Sequence, residues 1–127
     1  MRDTALLRLA EAAMAKSYSP YSNFRVGAAL ETKNGTVYTG TNIENISFGA
    51  TICAERTAVF KAVSEGETEF VKIAIVSDSV DYVFPCGICR QVLAEFNDGS
   101  MKVICSNNKG DYKSFLLDEL IPFTFDI

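Results

Sequence analysis

Two short segments of this chain carry thiols and a carboxylate at a spacing suited to metal chemistry. Cys53-Ala54-Glu55-Arg56 offers one thiol and, two residues on, one carboxylate. Pro85-Cys86-Gly87-Ile88-Cys89-Arg90 offers two thiols three residues apart, behind a proline. Three thiolates can hold a zinc ion and leave its fourth position open for water, the layout of a catalytic rather than a structural site. The Glu55 carboxylate is then the natural proton carrier. Cys-x-x-Cys alone is a weak signal, because it also fits a redox pair or half of a structural zinc site. A redox pair needs no Cys-x-Glu upstream, and a closed four-thiolate site needs one more ligand, for which Cys105 is the only thiol left. Read together, the segments nominate Cys53, Cys86 and Cys89 as ligands of Zn2+ and Glu55 as the catalytic acid and base.

The chain has no histidine. That removes Ser-His-Asp triads, Cys-His dyads and the two-His-one-carboxylate iron site. A base working near neutral pH must be a carboxylate, Lys, Tyr or a metal-activated water. Three thiolates over-neutralise a divalent cation, and an ionised Glu55 adds to the excess. Arg56 and Arg90, each directly following a site residue, are the cations placed to offset it, with help from two helix N-termini.

The elements that must position these groups follow from local pattern. Residues 3–16 read as an amphipathic helix, with Leu6, Leu9, Ala10 and Ala13 on one face and Asp3 as its cap. Strands are expected over 24–32 and 36–42, joined by Asn34-Gly35, a strong hairpin signal. Thr51 is placed to cap a helix reaching about Glu65 and ended by Gly66, which puts Cys53 in its first turn. On an ideal helix residues two apart point roughly 200° from each other. Cys53 and Glu55 therefore share a site only if the metal sits over the helix end. A central strand is expected over 71–77, a helix from Pro85 to about Phe96, and a strand from Met101 to Cys105. Cys105 reads as a small buried hydrophobe. Ser114 is expected to cap a short last helix, ended by Pro122. This order predicts an α/β protein, a three-layer α-β-α sandwich with a mixed central sheet, with residues 1–127 as one domain. The two cysteine-bearing helices should aim their N-termini at one spot.

Bulk properties narrow the partners. Net charge is -4, and Lys and Arg are scattered singly, so the basic footprint of a nucleic-acid binder is missing. A small substrate is expected instead. No apolar run is long enough for a membrane span, and the N-terminal stretch lacks a signal-peptide core. A cytoplasmic protein with reduced thiols is expected.

Four segments in order carry a family resemblance. They are Ser19-Pro20-Tyr21-Ser22-Asn23-Phe24-Arg25-Val26-Gly27-Ala28-Ala29-Leu30, Asn42-Ile43-Glu44-Asn45, Cys53-Ala54-Glu55-Arg56-Thr57-Ala58 and Pro85-Cys86-Gly87-Ile88-Cys89-Arg90-Gln91. With them the chain resembles the small homotetrameric cytidine deaminases of the three-cysteine zinc type, over nearly its whole length. The resemblance implies the same zinc ligands and Glu55 as proton shuttle. It further implies Asn42 and Glu44 on the ribose, Phe24 against the pyrimidine and the Ala54 backbone reading the base. It implies a homotetramer with shared active sites, Phe125 crossing to a neighbour's base. Phe48 stands where the family often has Tyr, and the chain runs only two residues past Phe125. The implied reaction is hydrolytic deamination of cytidine and 2'-deoxycytidine. The competing readings are a deaminase for another aminopyrimidine nucleoside such as blasticidin S, and a non-catalytic zinc-stabilised fold.

Overall fold

A computed structural model describes residues 1–127. Five strands form one mixed sheet: β1 (Val26–Thr32), β2 (Val37–Thr41), β3 (Phe70–Ser77), β4 (Lys102–Ser106) and β5 (Tyr112–Leu116). Their order across the sheet is β2-β1-β3-β4-β5. The β3–β4 pair is parallel and the others are antiparallel. Four helices complete the chain: α1 (Asp3–Met14), α2 (Ala54–Ser64), α3 (Gly87–Glu95) and α4 (Leu117–Leu120).

Alternation along the strands divides the interior into two cores, because successive side chains of a strand face opposite ways. Ala28, Leu30, Ile73, Ile75, Val103 and Cys105 face α2 and α3, where they meet Ala54, Ala58, Val59, Ala62 and Leu93. Ala29, Ala74, Val76 and Ile104 face α1, where they meet Leu6 and Ala10. The expected α-β-α layering results.

Two strand glycines set how closely the helices approach. A Cβ on Gly27 would lie 2.0 Å from the Ala10 carbonyl oxygen of α1. A Cβ on Gly40 would lie 2.5 Å from both Ala54 O and Ala58 N, in the first turns of α2. Only a bare Cα lets these backbones touch the sheet so closely. Gly40 thereby seats the helix start that carries Glu55.

The hairpin forms at Asn34-Gly35 as expected. Gly35 has φ 92°, and the Asn34 side-chain oxygen accepts from the Thr36 N–H at 3.0 Å. Gly66, with φ 92°, follows α2 as expected. Two local expectations are overturned. Asp3 does not cap α1; its carboxylate pairs with Lys72 at 2.9 Å and Lys102 at 2.6 Å. Ser114 caps no helix; it lies in β5, opposite Ile104 of β4. The turn ahead of β5 uses Gly110 at φ 86°, and the Asn107 side-chain oxygen accepts from the N–H groups of Lys109 and Asp111. This hairpin returns the chain to pair with β4, and helical propensity yields to that pairing. The last helix shrinks to the four residues of α4.

Candidate active site

The three candidate metal ligands are positioned by helix starts. Cys53 immediately precedes α2, with extended backbone at φ -78° and ψ 156°. Cys86 precedes α3 in the same way, at φ -68° and ψ 170°. Thr51 was expected at the helix entry; its hydroxyl instead accepts from the Asn45 N–H at 3.1 Å. Because Cys53 is not yet helical, its side chain escapes the helical divergence from Glu55. The site therefore lies over the two helix ends, where unpaired N–H groups favour anionic sulfur.

The Cys53 and Cys86 sulfurs are 3.7 Å apart. All three sulfurs, with that of Cys89, lie within 4.8 Å of one another. Tetrahedral zinc with Zn–S bonds of about 2.3 Å holds its sulfurs about 3.8 Å apart. The trio fits that ion, and no disulfide ties any of the four cysteines. Burial is graded, from exposed Cys86 through half-buried Cys53 to fully buried Cys89. Arg56 Nη2 donates to Cys53 Sγ at 3.4 Å.

The charge distribution follows from these contacts. A hydrogen bond from Cys89 is the leading cause that pulls the Cys53 thiol down to about 5, with Arg56 and Cys86 adding to it against the cost of burial. The Cys89 thiol moves the other way, because it is the proton donor of that pair and is also buried. Glu55, only 4% exposed, is pushed up to about 7. Burial is the main cause, and the neighbouring Cys53 charge adds to it. Such a carboxyl takes and gives a proton near neutral pH, which general acid–base catalysis requires. Cys105, buried in β4, is held up at about 12, chiefly by burial.

The other candidate residues are held by contacts of their own. Asn42 is buried, and its amide is engaged within the fold. Its Oδ1 accepts from the Val26 N–H at 2.9 Å and the Ser17 hydroxyl at 2.5 Å, and its Nδ2 donates to Phe24 O at 2.7 Å. Glu44 accepts from the Tyr21 and Ser22 N–H groups at 3.0 and 3.1 Å and from the Ser22 hydroxyl. The Ser22 hydroxyl is the leading cause that lowers the Glu44 pKa. Ser22 Oγ also accepts from the Phe24 N–H at 3.0 Å. Phe24 is thus gripped at both its N–H and its carbonyl, just after Asn23 in the left-handed region at φ 58°. Ser17 and Ser22 organise these contacts without being among the nominated site residues; Ser22 falls within the Ser19–Leu30 segment and Ser17 lies two residues ahead of it. Phe125 is exposed, beyond α4. Arg90 makes no bond to sulfur: its Nε donates to Pro85 O at 2.7 Å and its Nη1 to Leu120 O at 2.6 Å.

An α/β sandwich that brings three cysteine sulfurs and a buried acid together over two helix starts fits a zinc-dependent hydrolase. Comparison with known proteins places it further. Residues 1–106 match the cytidine and deoxycytidylate deaminase zinc-binding region. The cytidine deaminase of Sporosarcina psychrophila is 49% identical over 120 residues, spanning 94% of this chain and 88% of that protein. The crystal structure of cytidine deaminase from Burkholderia pseudomallei superposes with a TM-score of 0.94 at 44% identity, covering 98% of this chain and 100% of that one. Blasticidin-S deaminase of Bacillus cereus is more distant, 34% identical over 129 residues, spanning 94% of this chain and 91% of that protein. The chain belongs to the cytidine and deoxycytidylate deaminase family, enzymes that hydrolyse a C–N bond with zinc. No helix is long and apolar enough to cross a membrane.

Proposed function

We propose that the chain converts cytidine and 2'-deoxycytidine, with water, to uridine and 2'-deoxyuridine plus ammonia. One observation carries the reading: a buried carboxyl poised near neutral pH stands beside three convergent cysteine sulfurs. Cys53, Cys86 and Cys89 would hold the zinc, which would supply Lewis acidity that makes water nucleophilic near neutral pH. Glu55 takes a proton from that water and delivers it to ring N3 as C4 is attacked. It then takes the proton from the new C4 hydroxyl and gives it to the amine, which leaves as ammonia while the C4 carbonyl forms. Glu55 ends as it began, having served as base and then acid. Arg56 offsets the thiolate charge through its bond to Cys53, and keeps the three-sulfur site from being too electron-rich.

On the substrate side, Phe24 packs against the pyrimidine and the Ala54 backbone reads its polar edge. Asn42 and Glu44 take the ribose hydroxyls, with Glu44 held ionised by its N–H and hydroxyl donors. The whole chain acts as one domain in a homotetramer, and Phe125 of one subunit completes a neighbour's pocket. Ile46, Phe48, Phe123 and Phe125 are largely exposed in the single chain, apolar surface that such an assembly would cover. Its place is pyrimidine salvage in the cytoplasm, on free nucleosides rather than nucleic acid. Identity to the cytidine deaminase of Sporosarcina psychrophila is well above that to blasticidin-S deaminase, which favours cytidine.

The deciding experiment follows absorbance loss and ammonia release with cytidine, deoxycytidine and blasticidin S, before and after zinc removal. Zinc-dependent turnover of the first two is expected. Turnover of blasticidin S alone would replace the substrate, and zinc binding without turnover of any of them would make the fold non-catalytic.

A further inference from the structure

Arg56 and Arg90 each directly follow a residue of the site, Glu55 and Cys89, yet their guanidinium groups do different things. Arg56 reaches a sulfur, whereas Arg90 reaches two backbone carbonyls that belong to distant parts of the chain. The first is that of Pro85, a fully buried residue immediately before Cys86. The second is that of Leu120, the last residue of α4, at a helix end where no further turn supplies an N–H donor. Arg90 itself is anchored one turn into α3 by its N–H, which donates to Cys86 O at 2.9 Å.

A guanidinium is a rigid planar fork, and charge-assisted bonds from two of its nitrogens fix the separation and orientation of their acceptors. Here one acceptor sets the path of the loop that delivers Cys86. The other terminates the helix at the root of the C-terminal tail, which turns at Phe123 (φ 56°) and exposes Phe125. We infer that Arg90 is a positioning residue that clamps the metal-binding loop at Pro85–Cys86 to α4, so that metal loading and the placement of the C-terminal tail are coupled. The inference rests on the three-thiolate metal centre and not on the identity of the substrate. In the tetramer proposed above, it would link the metal loop of one subunit to the aromatic that its neighbour uses.

The test compares wild type, Arg90→Gln and Arg90→Lys by two measurements that need no turnover. One is hydrogen exchange of backbone amides in residues 116–121, with zinc and after chelation. The other is the rate of zinc transfer to a chromophoric chelator. In wild type, zinc is expected to slow exchange in α4 several-fold. In Arg90→Gln, zinc should leave α4 exchange unchanged, and zinc release should be about tenfold faster. Lysine, a single-point donor, cannot span both carbonyls, so Arg90→Lys should also lose the coupling while keeping the charge. Zinc-sensitive α4 exchange persisting in both variants, wild-type α4 indifferent to zinc, or unchanged zinc release would each overturn the clamp. Should Arg90→Gln fail to fold, Arg90→Lys decides by the same two readings. Because ammonia release is not measured, failure of the substrate assignment leaves this result intact.

Discussion

Cys53 and Cys86 stand one residue ahead of two different helices, and their sulfurs lie 3.7 Å apart. They are 33 positions apart in the chain, so this proximity is made by the sheet and not by local structure. β3 and the loop after it carry α3 back beside α2, and both helices then point their amide-rich ends at the same point.

Glu55→Gln keeps the size and hydrogen-bonding shape of the side chain but cannot carry a proton. Turnover of cytidine should fall by at least about 10³-fold. Zinc content by atomic spectroscopy and the circular dichroism spectrum should match wild type. Near-normal turnover in this variant would remove Glu55 from the mechanism.

In the chelated protein the same substitution should change how stability depends on pH. The folded-state pKa of Glu55 is raised from 4.5 to about 7, so the folded form keeps a proton that the unfolded chain has already released. Its contribution is fully present below about pH 4.5 and is lost as pH rises through about 7. Relative to Glu55→Gln, wild type should therefore lose about 3 kcal/mol between pH 4.5 and 8. Urea melts of both proteins across that range measure it; a pH-independent difference would show that Glu55 titrates as it does in water.

Arg56→Ala removes the cation that holds the Glu55 pKa down and bonds the Cys53 sulfur. Without it the carboxyl needs a higher pH to ionise. The acidic limb of the kcat/KM profile should move up by roughly half to one pH unit, with zinc bound less tightly. An unmoved limb would restrict Arg56 to packing.

Gly40→Ala places a methyl 2.5 Å from the Ala54 carbonyl oxygen and Ala58 N. The first turns of α2 must then lift off β2, at a cost of about 2–3 kcal/mol. Thermal melting should show a clear drop in Tm, and zinc affinity should fall with it as Cys53 is displaced. Gly49→Ala, where a Cβ meets nothing within 4 Å, is the control and should melt like wild type.

The three thiols that the fold gathers were legible in the linear order of residues because their signals are short-range. Cys-x-Glu and Pro-Cys-x-x-Cys lie at helix starts, and helix starts are marked by nearby proline and polar residues. The hairpin at Asn34-Gly35 and the apolar 71–77 run were legible for the same reason: each is dictated by a few adjacent residues. The last hairpin was not, since Tyr112–Leu116 becomes a strand only by pairing with β4. Nor were the contacts that give the site its character. The near-neutral Glu55 carboxyl comes from burial at the start of α2 and from the Cys53 charge, and the partners of Arg90 lie 5 and 30 positions away. Such properties depend on the dielectric, packing and distances around a group. Those exist only once residues remote in sequence have closed around it.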